Sequence, residues 1–438
     1  MEIINRTSAI STQPDTTAVP APETRSLPFL IGLGLFGLGL TAAFNILDPF
    51  IYTEKVRLLA PPALKNSTLS LITITTLLVA LFAQPLIGQW SDRSQTRWGR
   101  RLPFLLAGVT GLTLALALVV SADSLGLLLL TVALVSLSSN TVQGPWQALV
   151  PDRVPAAQHG TMAGLKTVLE AIGGVIGVGL AGWALSRGHL WAAPLAVIGL
   201  LWLILWLTGR LLKTPAPAAE IFSARFDSPL ALLKLNLSHL PPAFPWWMAN
   251  RLLFWAAVIS IRTFLLNYLE DVLGLSPAET QALSSQVILV LGAGVFLFVL
   301  PAGAIADRIG RRPLLVVAGL LAATGAILFI FTREVNLLFV AGGFIAAGAG
   351  IFASASWALA TDIVPKEESA LYLGLANIAT VIGSISGRLG GPLIDGLNNL
   401  TATTTVGYSV VFGLAALFFV GSSVVVLRIQ DKEERNGE

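Results

Sequence analysis

Six ionisable side chains stand inside stretches that are otherwise apolar: Asp48, Lys166, Glu170, Arg251, Arg262 and Arg388. Such groups are costly in lipid, so they face an interior or a watery cavity and mark solute paths and proton relays. Lys166 and Glu170 are four residues apart and share a face if the segment is helical. Counting from residue 160 at ~1.5 Å per residue puts Glu170 about 15 Å deep, near the centre of a hydrocarbon layer. A carboxylate at that depth needs a partner or a proton. Glu170 is therefore the first candidate for a coupling carboxylate, with Lys166 beside it and Asp48 second. The competing reading is a static Lys166–Glu170 pair that only fixes packing. Arg251 lies near one end of its stretch and reads as snorkelling to the surface. Arg262 and Arg388 lie toward the other side, placed to pair with Asp48 or to hold substrate oxygens.

A second set of polar residues is neutral. Ser136, Ser139, Asn140, Gln143 and Gln147 recur at i, i+3, i+4, i+7 and i+11, one stripe of a helix. Asn377, Thr380, Ser384 and Arg388 make another, and Thr41, Asn45 and Asp48 a third. Amides, hydroxyls and a carboxylate suit a neutral ligand with many hydroxyls, and Trp146, Phe254, Trp255 and Trp357 offer rings for stacking. The expected binding residues are Asn45, Asn140, Gln143, Trp146, Gln147, Arg262, Asn377 and Arg388. The competing reading is that the small polar residues only join helices.

The third set is charged and repeated. "GQWSDRSQTRWGRRLP" (88–103) reappears, four residues shorter inside, as "GAIADRIGRRP" (303–313). Asp92, Arg93, Gly99, Arg100 and Arg101 match Asp307, Arg308, Gly310, Arg311 and Arg312. "WQALVPDRVP" (146–155) is echoed by "WALATDIVP" (357–365), matching Asp152 to Asp362 and Trp146 to Trp357. Both echoes are offset by about 210 residues. The acids sit at segment ends among arginines that can donate charge-assisted bonds to them. Two clusters are expected, Asp92–Arg101–Asp152 and Asp307–Arg311–Asp362. They would latch the cytoplasmic ends and break when that side opens.

The elements that must position these groups are apolar helices. Of 438 residues, 55% are hydrophobic and 12% charged, where soluble domains carry roughly a quarter charged. The apolar residues come in blocks of about 20, the length that crosses a bilayer as a helix. Twelve spans are expected, at 28–51, 67–90, 102–121, 126–149, 160–185, 190–212, 246–270, 279–304, 314–332, 335–360, 370–394 and 406–428. With the N-terminus in the cytoplasm, 18 Lys and Arg fall inside and five (Lys55, Arg57, Lys65, Arg187, Arg333) outside, which satisfies the positive-inside rule. The expected order is a polar, disordered tail (1–26), a six-helix bundle (27–212), a cytoplasmic linker (213–245) with a weak amphipathic segment, a second bundle (246–428) and a short tail (429–438). Two parallel six-helix repeats describe a secondary transporter with its ligand at the seam.

Cysteine is absent and the three His are scattered, so no thiol chemistry and no metal-ligand spacing is seen. No P-loop, dinucleotide fingerprint or nucleophile elbow is present. The expectation is no enzyme, no cofactor and no nucleic-acid partner. A monomer in the lipid of a bacterial inner membrane suffices, since each half is the other's partner.

The G-xxx-D-R-x-G-R-R loops after spans two and eight resemble the signature loop of the major facilitator superfamily. "SDRSQTRWGRRLPF" and "NTVQGPWQALVPD" (140–152) are similar to sucrose-transporter-like proteins and the wider glycoside–cation symporter group. The resemblance implies alternating access, a saccharide or glycoside solute, and H+ or Na+ as coupling ion. This chain departs from it: the early aspartate of the span-four phrase is Ser136 here, and the arginine after Q-G-P is Gln147. Proton coupling and sucrose specificity therefore do not carry over. An exporter of amphipathic compounds and a non-transporting assembly factor remain as alternatives.

Overall fold

The computed structural model describes residues 24–211 apart from 95 and 97, 241–363 and 369–429. Among these there are helices and turns and no strand. We number the long helices α1 (Leu27–Ile46), α2 (Lys65–Arg93), α3 (Leu102–Ser121), α4 (Leu125–Arg153), α5 (His159–Ser186), α6 (Ala192–Leu211), α7 (Ala243–Leu273), α8 (Pro277–Ile309), α9 (Arg311–Phe331), α10 (Val335–Ile363), α11 (Ser369–Arg388) and α12 (Val406–Val426). Eleven helical stretches are long and apolar enough to cross a membrane. The expected eleventh span is filled by α11 and the short helix Gly390–Thr401. The result is an all-α, multi-pass integral membrane protein.

Local chemistry sets several boundaries. α8 opens with a capping box, in which Ser276 Oγ accepts from the Glu279 amide at 3.4 Å and the Glu279 carboxylate accepts from the Ser276 amide at 2.9 Å. α7 stops at Gly274, whose φ of +66° suits a residue without a Cβ. α7 also begins at Ala243, inside the stretch expected to be linker. Most of that linker, its amphipathic segment and nearly all of the N-terminal tail lie outside the described residues.

The repeat is visible in packing as well as in sequence. Gly173 and Gly177 bring α5 onto α1, so a Cβ at each would meet Leu38 O at 2.1 Å and Ala42 O at 2.5 Å. Gly383 and Gly387, 210 residues later in each case, bring α11 onto α7, against Leu252 O at 2.5 Å and Ala256 O at 2.3 Å. Small residues four apart allow such close approach of membrane helices. The matched loop glycines also agree, with φ of +87° at Gly99 and +89° at Gly310, a region costly for any residue with a Cβ. Between α1–α6 and α7–α12, α5 packs on α8, while α2 packs on α11 and the short helix after it. We call the bundle end where α1 begins and α12 ends the terminal face, and the opposite end the distal face.

Candidate functional site

α1 does not run straight to the distal face. Its last turn gives way to Leu47–Ile51, where Asp48 leaves helical geometry (φ −113°, ψ 109°), and a short helix Tyr52–Leu59 follows. The break exposes backbone carbonyls and turns Asp48 inward. Beside it lies a cavity of about 300 Å³, walled by α1, this break, α2, α4 and Arg262 of α7. Asn45, Asp48, Asn140, Gln143 and Arg262, all expected from the sequence, are in its wall.

The wall is held by its own hydrogen bonds. Ser136 Oγ donates to Thr76 O at 2.7 Å, tying α4 to α2. Asn140 Nδ2 donates to Ser136 O at 2.8 Å and Asn45 Nδ2 to Thr41 O at 2.9 Å. Arg262 Nη2 reaches across from α7 to Asn45 Oδ1 at 3.0 Å and Asp48 O at 3.3 Å. Arg388 lies behind the wall, with Nη2 on Asp48 Oδ2 at 2.8 Å. Gln84 and Gln143 line the cavity with no hydrogen bond among the described residues. Their amides offer both donors and acceptors to a solute.

Other expected binding residues are elsewhere. Trp146 is 1% exposed and its indole donates to Leu33 O at 2.7 Å, with Lys166 Nζ 5.5 Å above the ring. It pins α4 to α1 and is not a stacking surface here, because no face of the ring is open. Gln147 and Asn377 are outside the wall, the latter exposed on α11. Lys166 and Glu170 form their expected pair at 3.4 Å, each about a third exposed, and neither is among the residues of the cavity wall. Arg251 does not snorkel. It is buried, its Nε on Thr380 Oγ1 at 2.9 Å and its guanidinium 4.8 Å from the Trp357 ring.

The first charged loop comes together with the end of α4 at the terminal face. Arg101 joins Asp92 at 2.5 Å and Asp152 at 3.0 Å, and Arg100 joins Asp152 at 3.1 Å. Arg101 also donates to Ser91 Oγ at 3.0 Å. These residues tie α2, the start of α3 and α4 together within one six-helix set. The expected cluster Asp92–Arg101–Asp152 is thus formed, with both of its ion pairs inside the first six-helix set. In the second set, Arg311 Nη1 donates to Ala358 O at 2.8 Å. Arg93 and Arg308 are exposed and Arg312 half-buried. The side chains of Asp307 and Asp362 lie outside the described residues.

A cross-half seal exists at the distal face, and the sequence reading missed it. Asp395 receives Asn66 Nδ2 at 2.9 Å, the Ser67 amide at 2.7 Å and Ser67 Oγ at 2.7 Å. A carboxylate from the second set thus caps the N-terminus of α2 in the first, satisfying amides that an open helix end leaves unpaired. Lys65 pairs with Asp271, which also receives Tyr408 OH at 2.6 Å. Asn267 Nδ2 donates to Asn66 Oδ1 at 2.8 Å, and Ser70 Oγ to Arg388 O at 2.5 Å. Asp395 falls one residue past the expected end of span eleven, and nothing in its local sequence marks it. Tyr52, Thr76 and Gln84 were also missed. The Thr-rich run "TITTLL" (73–78) was the available signal for Thr76.

Known proteins resemble this arrangement. The sucrose transport protein SUC3 of Arabidopsis thaliana is 26% identical over 161 residues, covering 32% of this chain and 26% of that protein. The human proton-associated sugar transporter A is 30% identical over 129 residues, covering 26% of this chain and 17% of its own length. These matches span about a quarter of the relatives or less. A crystal structure of a bacterial homolog of the human lysosomal transporter Spinster, inward-facing and occupied, superposes with a TM-score of 0.70 at 17% identity, covering 92% of this chain and 97% of that one. That likeness concerns the fold. The family described as MFS/sugar transport protein matches residues 30–430. With two related six-helix sets around a polar cavity and a match over nearly its whole length, the chain belongs to this family of transporters.

Proposed function

We propose that this protein carries a small saccharide or glycoside across a membrane by alternating access, with the cavity beside Asp48 as its solute site. The observation that supports this reading is the chemistry of the wall. Amides of Asn45, Gln84, Asn140 and Gln143 and hydroxyls of Ser136, Ser139 and Thr76 surround a space lined on one side by apolar residues. Paired hydroxyls of a sugar can bond such amides both ways, and a neutral polyol needs no counter-ion. The terminal face is cytoplasmic, by the distribution of Lys and Arg. With the distal seal formed, the structure corresponds to a state closed on the outer side.

Coupling to H+ or another cation rests on a carboxylate that can change partners. Asp48 is favoured over Glu170, because it lies in the cavity wall and is bound to arginines of the other half. The test is uptake of labelled sucrose, maltose and other saccharides into proteoliposomes, with and without an imposed pH gradient. Gradient-driven accumulation that vanishes in Asp48→Asn and survives in Glu170→Gln is expected. The reverse pattern moves coupling to α5. No uptake of any saccharide by the wild type sinks the assignment.

A further inference from the structure

The cavity belongs to one half, with a single guest from the other. Every wall residue stands on α1, the break and short helix after it, α2 or α4, except Arg262 on α7. The packing repeat that sets Leu38 against Gly173 and Leu252 against Gly383 aligns α1 with α7 at an offset of 214. That offset makes Arg262 the counterpart of Asp48. Two equivalent positions that touch lie close to the axis relating the halves, where a side chain senses both.

Arg262 is only partly used. Its Nη2 bonds Asn45 Oδ1 and Asp48 O, and both are neutral acceptors. The carboxylate of Asp48 is already held by Arg388. Nε and Nη1 of Arg262 have no acceptor among the described residues, and the side chain lines the cavity. A guanidinium presents its donors in a fixed fork, so a group that accepts from Nε or Nη1 also orients Nη2. Facing the cavity, these donors are free to bond a solute oxygen.

We infer that Arg262 is the positioning residue through which an occupied cavity holds the distal face shut. The inference rests on the cavity being the solute site. A solute hydroxyl accepts from Nε or Nη1 while Nη2 stays on Asn45 and Asp48 across the seam. A ligand bound by both halves binds more tightly to the state in which both reach it, and so shifts the population toward that state. A ligand bound by α1, α2 and α4 alone shifts nothing.

The chain has no cysteine, so one engineered thiol pair reports the seal. Asn399 Nδ2 donates to Ala63 O at 3.0 Å across the distal face, and both residues are exposed. The full-length Ala63→Cys/Asn399→Cys protein is oxidised in proteoliposomes with and without sucrose or maltose, and binding is followed in parallel by equilibrium dialysis. A saccharide that binds should speed cross-linking at least about fivefold, the low end of couplings between linked sites. Adding Arg262→Gln should abolish the acceleration at saccharide concentrations that still saturate the site, and Arg262→Lys should restore part of it. Equal acceleration with Arg262→Gln overturns the inference and leaves the saccharide reading intact. A bound saccharide that does not change cross-linking in the parent pair overturns it too, without need of the variant. Absence of any binding withdraws the saccharide reading, and the inference with it.

Discussion

The two halves share a skeleton and differ in what they put on it. On α4, Ser136, Ser139, Asn140 and Gln143 face the cavity. Aligned by Trp146 and Trp357, the equivalent positions on α10 are Ala347, Gly350, Ile351 and Ser354. Where the first half holds a polar space, the second stacks Phe254 on Phe352, with ring centroids 3.8 Å apart and planes within 7°. Glu170 on α5 has Thr380 as its counterpart on α11, and Thr380 serves Arg251. To the cavity the second half lends Arg262, with Arg388 behind it, while its Asp395, Asp271, Asn267 and Tyr408 serve the distal seal. Close helix contacts constrain both copies alike, because a Cβ cannot occupy a carbonyl. Cavity-facing positions carry no such constraint, and there the two copies differ.

Breaking the shared skeleton should have the largest effect. Gly173→Leu and Gly383→Leu each force a side chain into a backbone carbonyl and should cost roughly 3 kcal/mol, read as a similar fall in thermal unfolding temperature in detergent. If one of them is tolerated, the halves are not equivalent in packing.

The seal comes next. Asp395→Ala removes the acceptor of four hydrogen bonds at the start of α2. Alkylation of a cysteine placed at the buried Thr73 of α2 should rise at least about tenfold, since bonds to a charged group are worth more than 1.4 kcal/mol together. An unchanged rate would mean the distal face is held shut without the Asp395 cap.

The difference between the halves is sharpened by paired substitutions. Gln143→Ala should weaken saccharide affinity about tenfold, the loss of one or two solute hydrogen bonds, while Ser354→Ala, its counterpart, should stay within about twofold of wild type. Equal losses would show that both halves bind. Asp92→Asn should have the smallest effect. Asp92 is 58% exposed, and an exposed ion pair contributes little, so uptake should fall less than about twofold. A large loss would return the charged loop to the role of a latch.

The sequence made the skeleton legible because its signals are local and repeated. Apolar blocks of span length and the echoed Asp-Arg-Gly-Arg-Arg loops both survive without knowledge of neighbours. The polar stripe on α4 was legible for the same reason: spacing alone puts Asn140 and Gln143 on one face. Trp146 was misread because an aromatic on that stripe can serve a ligand or a neighbouring helix, and only the position of Leu33 O decides. Asp395 was passed over because its partner is a helix start more than 300 residues away, and no periodicity joins them.

By itself, then, the chain's sequence determined twelve membrane helices, their duplication and the polar stripe on α4, since hydropathy and helical period act within a single element. Only the tertiary structure decided which of the available partners each charge takes across the seam. Asp48 faces Arg262 and Arg388, and Asp395 caps α2, because the two halves are brought together at the distal face. An ion pair or a cap is a property of distance between atoms, and distances across a seam are not written in the spacing of either side.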